Sequence, residues 1–312
     1  MKGALELLDP PTLRFTRPRF RAETQVALKS AASALKTQET VNSASPPPDV
    51  RRHLRVVQND VGKRSLALTA PIFDRAWANQ VATQVANAAF DRLQANIDLN
   101  EILKLTEQLL GENSKLTDQF LAEPGPKVEC GAGCDHCCHV PVGVTAPEAL
   151  QLYAFLRRTR SEAELDALQQ KLRACSEAIR GLSHNERYSP NYPCPLLEAG
   201  SCSVYPARPF ACRGMNSLDR SDCAARLHDP VRREEYLRTG QSGPALINPI
   251  LASQAISGGL QLVLFEHFQL DMRPLDLVWA LDLLFTRGTE VASEWAAGGG
   301  SFQPALGDPS TT

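Results

Sequence analysis

The stretch that decides the fold of this chain is Cys130-Gly-Ala-Gly-Cys134-Asp-His-Cys137-Cys138, which places four of the nine cysteines within nine residues. Cysteines cluster in this way when several sulfurs must converge on one point, and disulfide bonding and soft-metal binding are the two chemistries that need this. The other five cysteines all lie before residue 224. The sequence therefore predicts a small cysteine-rich module in the middle of the chain.

The compartment separates these two chemistries, because disulfides persist in secreted proteins and are rare in the cytosol. The apolar amino-terminal stretch is broken by Glu6 and Asp9 and stops at Pro10, which is too short for the core of a signal peptide. We find no run of about 18 to 20 uninterrupted apolar residues, the length that spans a bilayer. We therefore expect a soluble, cytoplasmic protein whose thiols bind metal.

Charge gives little indication of a macromolecular partner. The net charge is −2 over 312 residues, so neither nucleic acid nor an anionic membrane is attracted globally. Residues 1–57 differ, with ten Lys or Arg against five Asp or Glu. We interpret residues 1–60 as a disordered basic arm. The expected partner is a metal ion, with no membrane and no evidence for nucleic acid, and exposed helices could bind a protein partner.

Apolar residues recur at three- and four-residue intervals on both sides of the cysteine-rich stretch, which is typical of amphipathic helices. We predict a helical segment at 70–123 with a break at Gly111, a cysteine-cluster domain at 128–240, carboxy-terminal helices at 245–290 and a disordered tail at 298–312. Further helices are expected near Ser221, at 248–269 with a soft spot at Gly258-Gly259, and at 274–286. The predicted fold class is mostly α: a helical scaffold around a small irregular metal-binding module with one or two short β hairpins.

Two capping boxes predict helix starts after the cluster, at Thr145 to Glu148 and at Ser161 to Glu164. The second helix is expected to end near Arg180, with Gly181 in a left-handed conformation. Cys175 lies on the apolar face of this helix, which favours a core residue over a ligand. The segment 188–214 lacks a helical period, and we predict a hairpin there that turns at Glu198-Ala-Gly200.

The cysteine spacing indicates which thiols could bind a metal ion. Cys134 and Cys137 form a two-residue knuckle, a frequent arrangement for zinc and iron. If the segment is extended, Cys137 and Cys138 point in opposite directions, so that one binds and the other packs or serves a second site. His136 and His139 are expected in surface or supporting roles, and Cys223 near a helix start is a ligand, a reactive thiol or a packed residue. The candidate metal residues are Cys130, Cys134, Cys137, Cys138, Cys194, Cys202 and Cys212.

These motifs resemble the YkgJ-type cysteine-cluster family, which is known as a zinc- or iron-chelating domain. Its pattern fits the opening Cys134-x2-Cys137-Cys138 and three later elements: Cys194-Pro195, Gly200-x-Cys202-x-x-Tyr205 and Arg208-Pro209-x-x-Cys212-Arg213. The departure is Cys130, whose three-residue spacer replaces the usual two. The resemblance covers roughly residues 128–215 and implies metal chelation, with zinc or iron, or an iron–sulfur cluster, as cofactor.

Two other function classes stay open. Cys130-x3-Cys134-x2-Cys137 is also the spacing of radical S-adenosylmethionine enzymes, and flagellin lysine methylases are distantly similar in cysteine usage, so an iron–sulfur or iron-dependent modifying enzyme is one alternative. The radical enzyme fold needs repeated strand–helix units, whereas this chain continues mainly with helices. The other alternative is a thiol redox sensor that uses Cys137, Cys138 or Cys223. We identify no catalytic residues from the sequence.

Overall fold

The computed structural model of the protein describes residues 57–58, 64–65, 75–94, 98–131 and 133–306. The predicted basic arm lies outside this part of the chain, except for Val57–Gln58 (β1), which pairs antiparallel with Arg64–Ser65 (β2). The described residues form eleven α-helices and three two-stranded antiparallel sheets. The predicted mostly α fold class is therefore confirmed.

Two long helices, Arg75–Leu93 (α1) and Leu99–Ala122 (α2), form the amino-terminal part of this structure. The predicted break at Gly111 is wrong, because α2 continues through it without interruption. Beyond this glycine, Asn113 is fully buried, and its Nδ2 donates a hydrogen bond to Ser253 Oγ at 3.1 Å. Burial of the following turns thus offsets the roughly 1 kcal/mol that one glycine costs within a helix.

The helices after the cluster begin where the sequence predicts. Ala146–Thr159 (α3) and Glu162–Ala178 (α4) both start at complete capping boxes, in which Glu148 and Glu164 bind the backbone of the capping residue. Gly181 follows α4 with a φ of 77°, the left-handed conformation that was expected. A short helix, His184–Arg187 (α5), comes next.

The irregular segment contains the predicted hairpin in a shorter form. Leu197–Glu198 (β4) pairs with Ser201–Cys202 (β5), and the two turn residues, Ala199 and Gly200, have φ values of 48° and 72°. Positive φ at both positions matches the twist of a tight hairpin. Gly143–Val144 (β3) pairs with Leu275–Asp276 (β6), which joins the start of the module to the carboxy-terminal helices.

Six helices follow the hairpin: Phe210–Gly214 (α6), Arg220–His228 (α7), Pro230–Thr239 (α8), Ile247–Glu266 (α9), Leu277–Arg287 (α10) and Thr289–Ala296 (α11). The cap of α7 is Asp219 and not Ser221 as expected, since Asp219 Oδ1 accepts the backbone N–H of Asp222 at 2.9 Å. Helix α8 was not predicted, because its sequence is strongly polar and none of its residues is buried.

Helix α9 lies in the core. The predicted soft spot is wrong: a Cβ on Gly259 would lie 2.4 Å from Ala82 O, so this glycine allows α9 to approach α1 closely. By length and composition alone, α9 is the one helix of the described residues that could cross a membrane, but 56% of its apolar window is buried. Its packing against α1, α2 and α6 accounts for this apolarity.

The chain after α11 is ordered as far as Leu306, which corrects the tail predicted to start at residue 298. Phe302 is 1% exposed, Ser301 Oγ donates to Val291 O at 2.8 Å, and Leu306 forms a bridge to Leu275. Burial of a large apolar side chain contributes about 1.5–3 kcal/mol, which favours docking of this segment. The remainder of the predicted tail, 307–312, lies outside the described residues.

Candidate metal centre

The first part of the centre is the opening turn, residues 130–139. Cys134 N donates to Gly131 O at 3.0 Å, and His136–His139 form a 3₁₀ turn. This corrects the expectation of an extended segment. In a 3₁₀ turn, neighbouring side chains are separated by about 120°, not the near 180° of a strand. The adjacent thiols of Cys137 and Cys138 accordingly interact, and this hydrogen bond raises the pKa of Cys137 far above its ordinary range.

The opening turn is anchored to the start of α7. Glu129 N donates to Ser217 O at 2.9 Å, and Ser217 N donates to Cys130 Sγ at 3.2 Å. Arg220 adds two bonds, from its backbone N to Glu129 Oε2 at 2.7 Å and from Nη2 to Gly133 O at 3.0 Å. These contacts place the cysteines at the beginning of the opening turn beside α7, which lies about ninety residues later in the chain.

The second part is the return segment, residues 194–213, which carries one cysteine before the hairpin, one on a strand and one on a helix. Cys194 precedes β4, and its backbone N donates to Cys138 O at 2.7 Å, which ties the return segment to the opening turn. Cys202 lies on β5 and Cys212 on α6. Hairpin and helix therefore bring residues that are distant in sequence to the same side of the opening turn.

Two buried charged residues, Arg213 and Glu148, fix α6, a role that the sequence analysis did not assign to either. Arg213 is 5% exposed and donates to Arg208 O at 2.8 Å, to Pro206 O at 2.6 Å and to the hydroxyl of Ser114. Burial lowers the pKa of Arg213 to about 10. The motif Arg208-Pro209-x-x-Cys212-Arg213 was the available signal, since an arginine beside a proline-rich loop can bind its free carbonyls.

Glu148 holds the other end of α6. It is 4% exposed, and its Oε1 accepts the backbone N–H of Phe210 at 2.9 Å while Oε2 completes the capping box of α3. Burial raises the pKa of this carboxyl, and the bonds from Thr145 and Phe210 oppose that rise. One carboxylate thus joins the starts of α3 and α6, and Cys212 is held between Glu148 and Arg213.

Five thiols form the inner thiol group: Cys137, Cys138, Cys194, Cys202 and Cys212. Burial raises the pKa of Cys212 to about 12, and the nearby thiols of Cys137 and Cys202 add to this rise. Burial also raises the pKa of Cys194 to about 12, with Cys212 and Cys202 adding to it. The pKa of Cys202 is raised by burial, by the thiol of Cys137 and by the carboxylate of Glu198, whereas the N–H of Val204 and the guanidinium of Arg208 lower it. The inner thiols therefore influence one another electrostatically.

Three thiols form the outer thiol group: Cys130, Cys134 and Cys223. Partial burial raises the pKa of Cys130 to about 11, the N–H of Ser217 opposes this, and the thiols of Cys134, Cys137 and Cys223 add to it. Cys223 is on α7, where Arg226 Nη2 lies 3.5 Å from its Sγ.

The two histidines of the opening turn are more buried than expected. His139 is 9% exposed, which excludes the surface alternative and leaves the supporting role as the prediction. The Nδ1 atoms of His136 and His139 are buried and have no hydrogen-bond partner among the described residues. Burial lowers the pKa of both imidazoles, which favours the neutral form that binds metal. The ring of His136 lies edge-on to that of His228 on α7, with centroids 6.0 Å apart.

The donor chemistry of these residues fits a soft metal ion. All nine cysteines are free thiols. In the described part of the chain, no three His, Cys, Asp or Glu side chains are arranged around a common point, so binding requires rotation of the side chains. Cys175 is partly buried on α4, near Cys194, and burial raises its pKa. The packing role expected for Cys175 stays a prediction, as does the choice of ligands.

No curated protein and no solved structure gives a match to the chain. A family match is found for the cysteine-rich region, and it extends beyond the motifs quoted above to include α7 with Cys223 and His228. Residues 129–230 match the CxxCxxCC family, described as a "Putative zinc- or iron-chelating domain", and the resemblance drawn from the cysteine motifs is thereby confirmed over this span.

Proposed function

We propose that this protein chelates a zinc or iron ion through the inner thiol group, with zinc as the preferred metal. The observation that carries the proposal is the hydrogen bond from Cys194 N to Cys138 O at 2.7 Å, which ties the return segment and its three cysteines to the opening turn. Four thiolates suit the tetrahedral coordination of zinc. The match of residues 129–230 to a chelating domain supports the same conclusion.

The charge around these thiols is also appropriate for a metal site. Four thiolates around a divalent cation leave a net charge of about −2. Partial burial of this charge in the inner thiol group raises its free energy. Arg208 lies near enough to lower the pKa of Cys137, Cys202 and Cys212. Its guanidinium stacks over Tyr205 at 4.0 Å from the ring centroid. Arg208 therefore offsets part of the negative charge that forms when metal binds.

The exposure of one inner thiol favours a site that exchanges its metal over a closed structural site. Cys137 is exposed, whereas Cys194, Cys202 and Cys212 are partly buried. One ligand that solvent reaches provides a route for metal exchange, while the other three keep the ion in place. Free thiols at all nine positions fit a reducing compartment, and we propose the cytoplasm as the location.

The test is the metal content of full-length protein made in metal-replete cells and purified without oxygen or chelator. We expect the Cys212→Ser variant to lose the metal of the inner group, because a neutral hydroxyl replaces a soft thiolate. The matched control is Cys175→Ser, which should keep its metal. Less than about a tenth of an equivalent of zinc plus iron in the unmodified protein would overturn the proposal.

The same sample distinguishes the metals. Zinc leaves the protein colourless because its d shell is full, whereas an iron–sulfur centre gives a brown protein that bleaches on reduction. Inorganic sulfide together with iron would replace the zinc preference by the iron–sulfur alternative.

A further inference from the structure

We propose that the cleft between α4, α10 and the carboxy-terminal segment binds a small zwitterion with an apolar body, which is the chemistry of a free α-amino acid with a large apolar side chain. We assign its carboxylate to Arg180, its ammonium group to Asp282 and its side chain to Trp279. The site goes beyond the proposed metal chelation and does not depend on it, since none of the described residues that line the cleft is a cysteine.

Two helix faces build this cleft. On α4, Arg173 and Ser176 are three residues apart, and on α10 Trp279 and Leu283 are four apart, so each pair lies on one face of its helix. The carboxy-terminal segment adds Leu306 as a further wall. The cleft has a volume of about 450 Å³, within the range of about 300–1,000 Å³ that is usual for small-molecule sites.

Three arginines line the cleft, but two of them already have carboxylate partners. Arg287 Nη2 lies 2.6 Å from Glu294 Oε1, and Arg173 Nε lies 3.8 Å from Glu177 Oε1. The side chain of Arg180 has no ion pair and no hydrogen bond in the part of the chain that the structure describes. A guanidinium binds a carboxylate through two parallel hydrogen bonds, so Arg180 is available for the acid group of a ligand.

Asp282 is the one carboxylate among the described lining residues. It is partly buried on α10, and within the described ranges its side chain has neither an ion pair nor a hydrogen bond. Partial burial removes water from a carboxylate, and an ammonium group restores the lost hydrogen bonds together with an opposite charge. Because Asp282 and Arg180 do not pair with each other, a ligand that carries one group of each sign satisfies both.

The apolar part of the cleft is held in place before any ligand enters. Trp279 Nε1 donates to Ser176 O at 3.4 Å, and the guanidinium of Arg187 lies 5.2 Å from the centroid of the indole. The indole lines the cleft together with Leu283 and Leu306. A ring or a branched chain of the ligand can therefore lose its contact with water against a fixed aromatic surface.

The experiment follows the indole N–H resonance of Trp279 by NMR in full-length protein while L-phenylalanine is added. The chain has three tryptophans, and the Trp279→Phe variant identifies the resonance. We expect a saturable shift. Two analogues each lack one charged group: 3-phenylpropionate has no ammonium group, and phenethylamine has no carboxylate. Both should bind at least about tenfold more weakly, because each leaves one charged side chain without a partner.

Variants of the two charged residues should change this preference in opposite ways. Arg180→Gln should bind L-phenylalanine no better than phenethylamine, while still preferring it to 3-phenylpropionate. Asp282→Asn should show the reverse pattern. A loss of packing alone would weaken all three probes equally, so the change of preference reports recognition of charge. The control is Arg238→Gln on α8, whose preference should match that of the unmodified protein.

Three outcomes would overturn the site: a Trp279 resonance that does not respond to L-phenylalanine at about 10 mM, equal binding of the three probes, or unchanged preference in both variants. Cys212→Ser separates this site from the metal centre. It should lose the inner metal and keep its affinity for L-phenylalanine, so failure of one proposal leaves the other standing.

Discussion

The opening turn and the return segment carry cysteines of the same domain but are stabilised in different ways. The opening turn is short, exposes Cys130 and Cys137, and is held by hydrogen bonds to residues 217–220 in which a backbone group takes part on at least one side. The return segment is fixed by the buried side chains of Arg213 and Glu148. We call the return segment with its buried arginine and glutamate the platform, and we expect it to hold its cysteines more firmly than the opening turn does.

Replacement of Arg213 should have the largest effect on the return segment. In Arg213→Met, the carbonyls of Pro206 and Arg208 and the hydroxyl of Ser114 lose their donor, and unsatisfied buried polar groups cost about 1–3 kcal/mol each. We expect the free energy of unfolding to fall by roughly 3 kcal/mol, together with loss of the inner metal. Urea unfolding and elemental analysis measure the two effects.

The control for this prediction is Arg238→Met on α8, since Arg238 is an exposed arginine. Its effect should stay within about 0.5 kcal/mol. Equal effects of the two replacements would show that Arg213 does not hold the platform.

Two glycines, one in α6 and one in the opening turn, test the same difference between the two regions with a smaller expected effect on stability. A Cβ on Gly214 in α6 would lie 2.9 Å from Ser253 Oγ and 3.1 Å from Pro249 O, and Ser253 is already bonded to Asn113 and Pro249. We expect Gly214→Ala to lower the free energy of unfolding by about 1–3 kcal/mol, because this close contact cannot relax freely.

The partner in this pair is Gly131 in the opening turn. A Cβ there has nothing within 4 Å, and its φ is not in the left-handed region. Gly131→Ala should therefore change the free energy of unfolding by less than about 0.5 kcal/mol. Thermal melts of both variants measure the difference, and a larger loss in the opening turn would reverse the comparison.

The pH dependence of zinc binding tests the buried thiols of the platform. Cys194 and Cys212 have pKa values raised to about 12, so they carry protons at neutral pH. Because zinc binds thiolate, these protons must leave, and a rise in pH makes binding tighter. Zinc affinity should keep rising above the ordinary thiol pKa of about 8.5, because these two thiols lose their protons only near pH 12.

We expect the apparent affinity to rise at least about tenfold per pH unit from about pH 6.5 to 8.5, because each bound thiol releases one proton. Competition with a zinc chelator at three pH values measures this slope. In metal-free protein the sign is opposite: a raised thiol pKa stabilises the fold below the unfolded pKa, and this contribution is lost as pH rises. Zinc affinity that does not change with pH would show that the thiols are ionised before metal arrives.

The sequence alone was sufficient for features that depend on a few neighbouring residues. Both capping boxes, the left-handed Gly181 and the hairpin turn are set by hydrogen bonds and dihedral preferences within four or five residues. The cysteine motifs likewise indicated a chelating domain, because thiol chemistry and short spacing are properties of the sequence.

Only the tertiary structure decided which thiols meet. Ser217 and Arg220 bond the start of the opening turn to the start of α7, and Arg213 and Glu148 hold α6, which carries Cys212. Packing between distant segments also keeps α2 helical through Gly111 and buries Phe302 in the core. These outcomes depend on free energies summed over contacts between distant segments, which no local pattern contains.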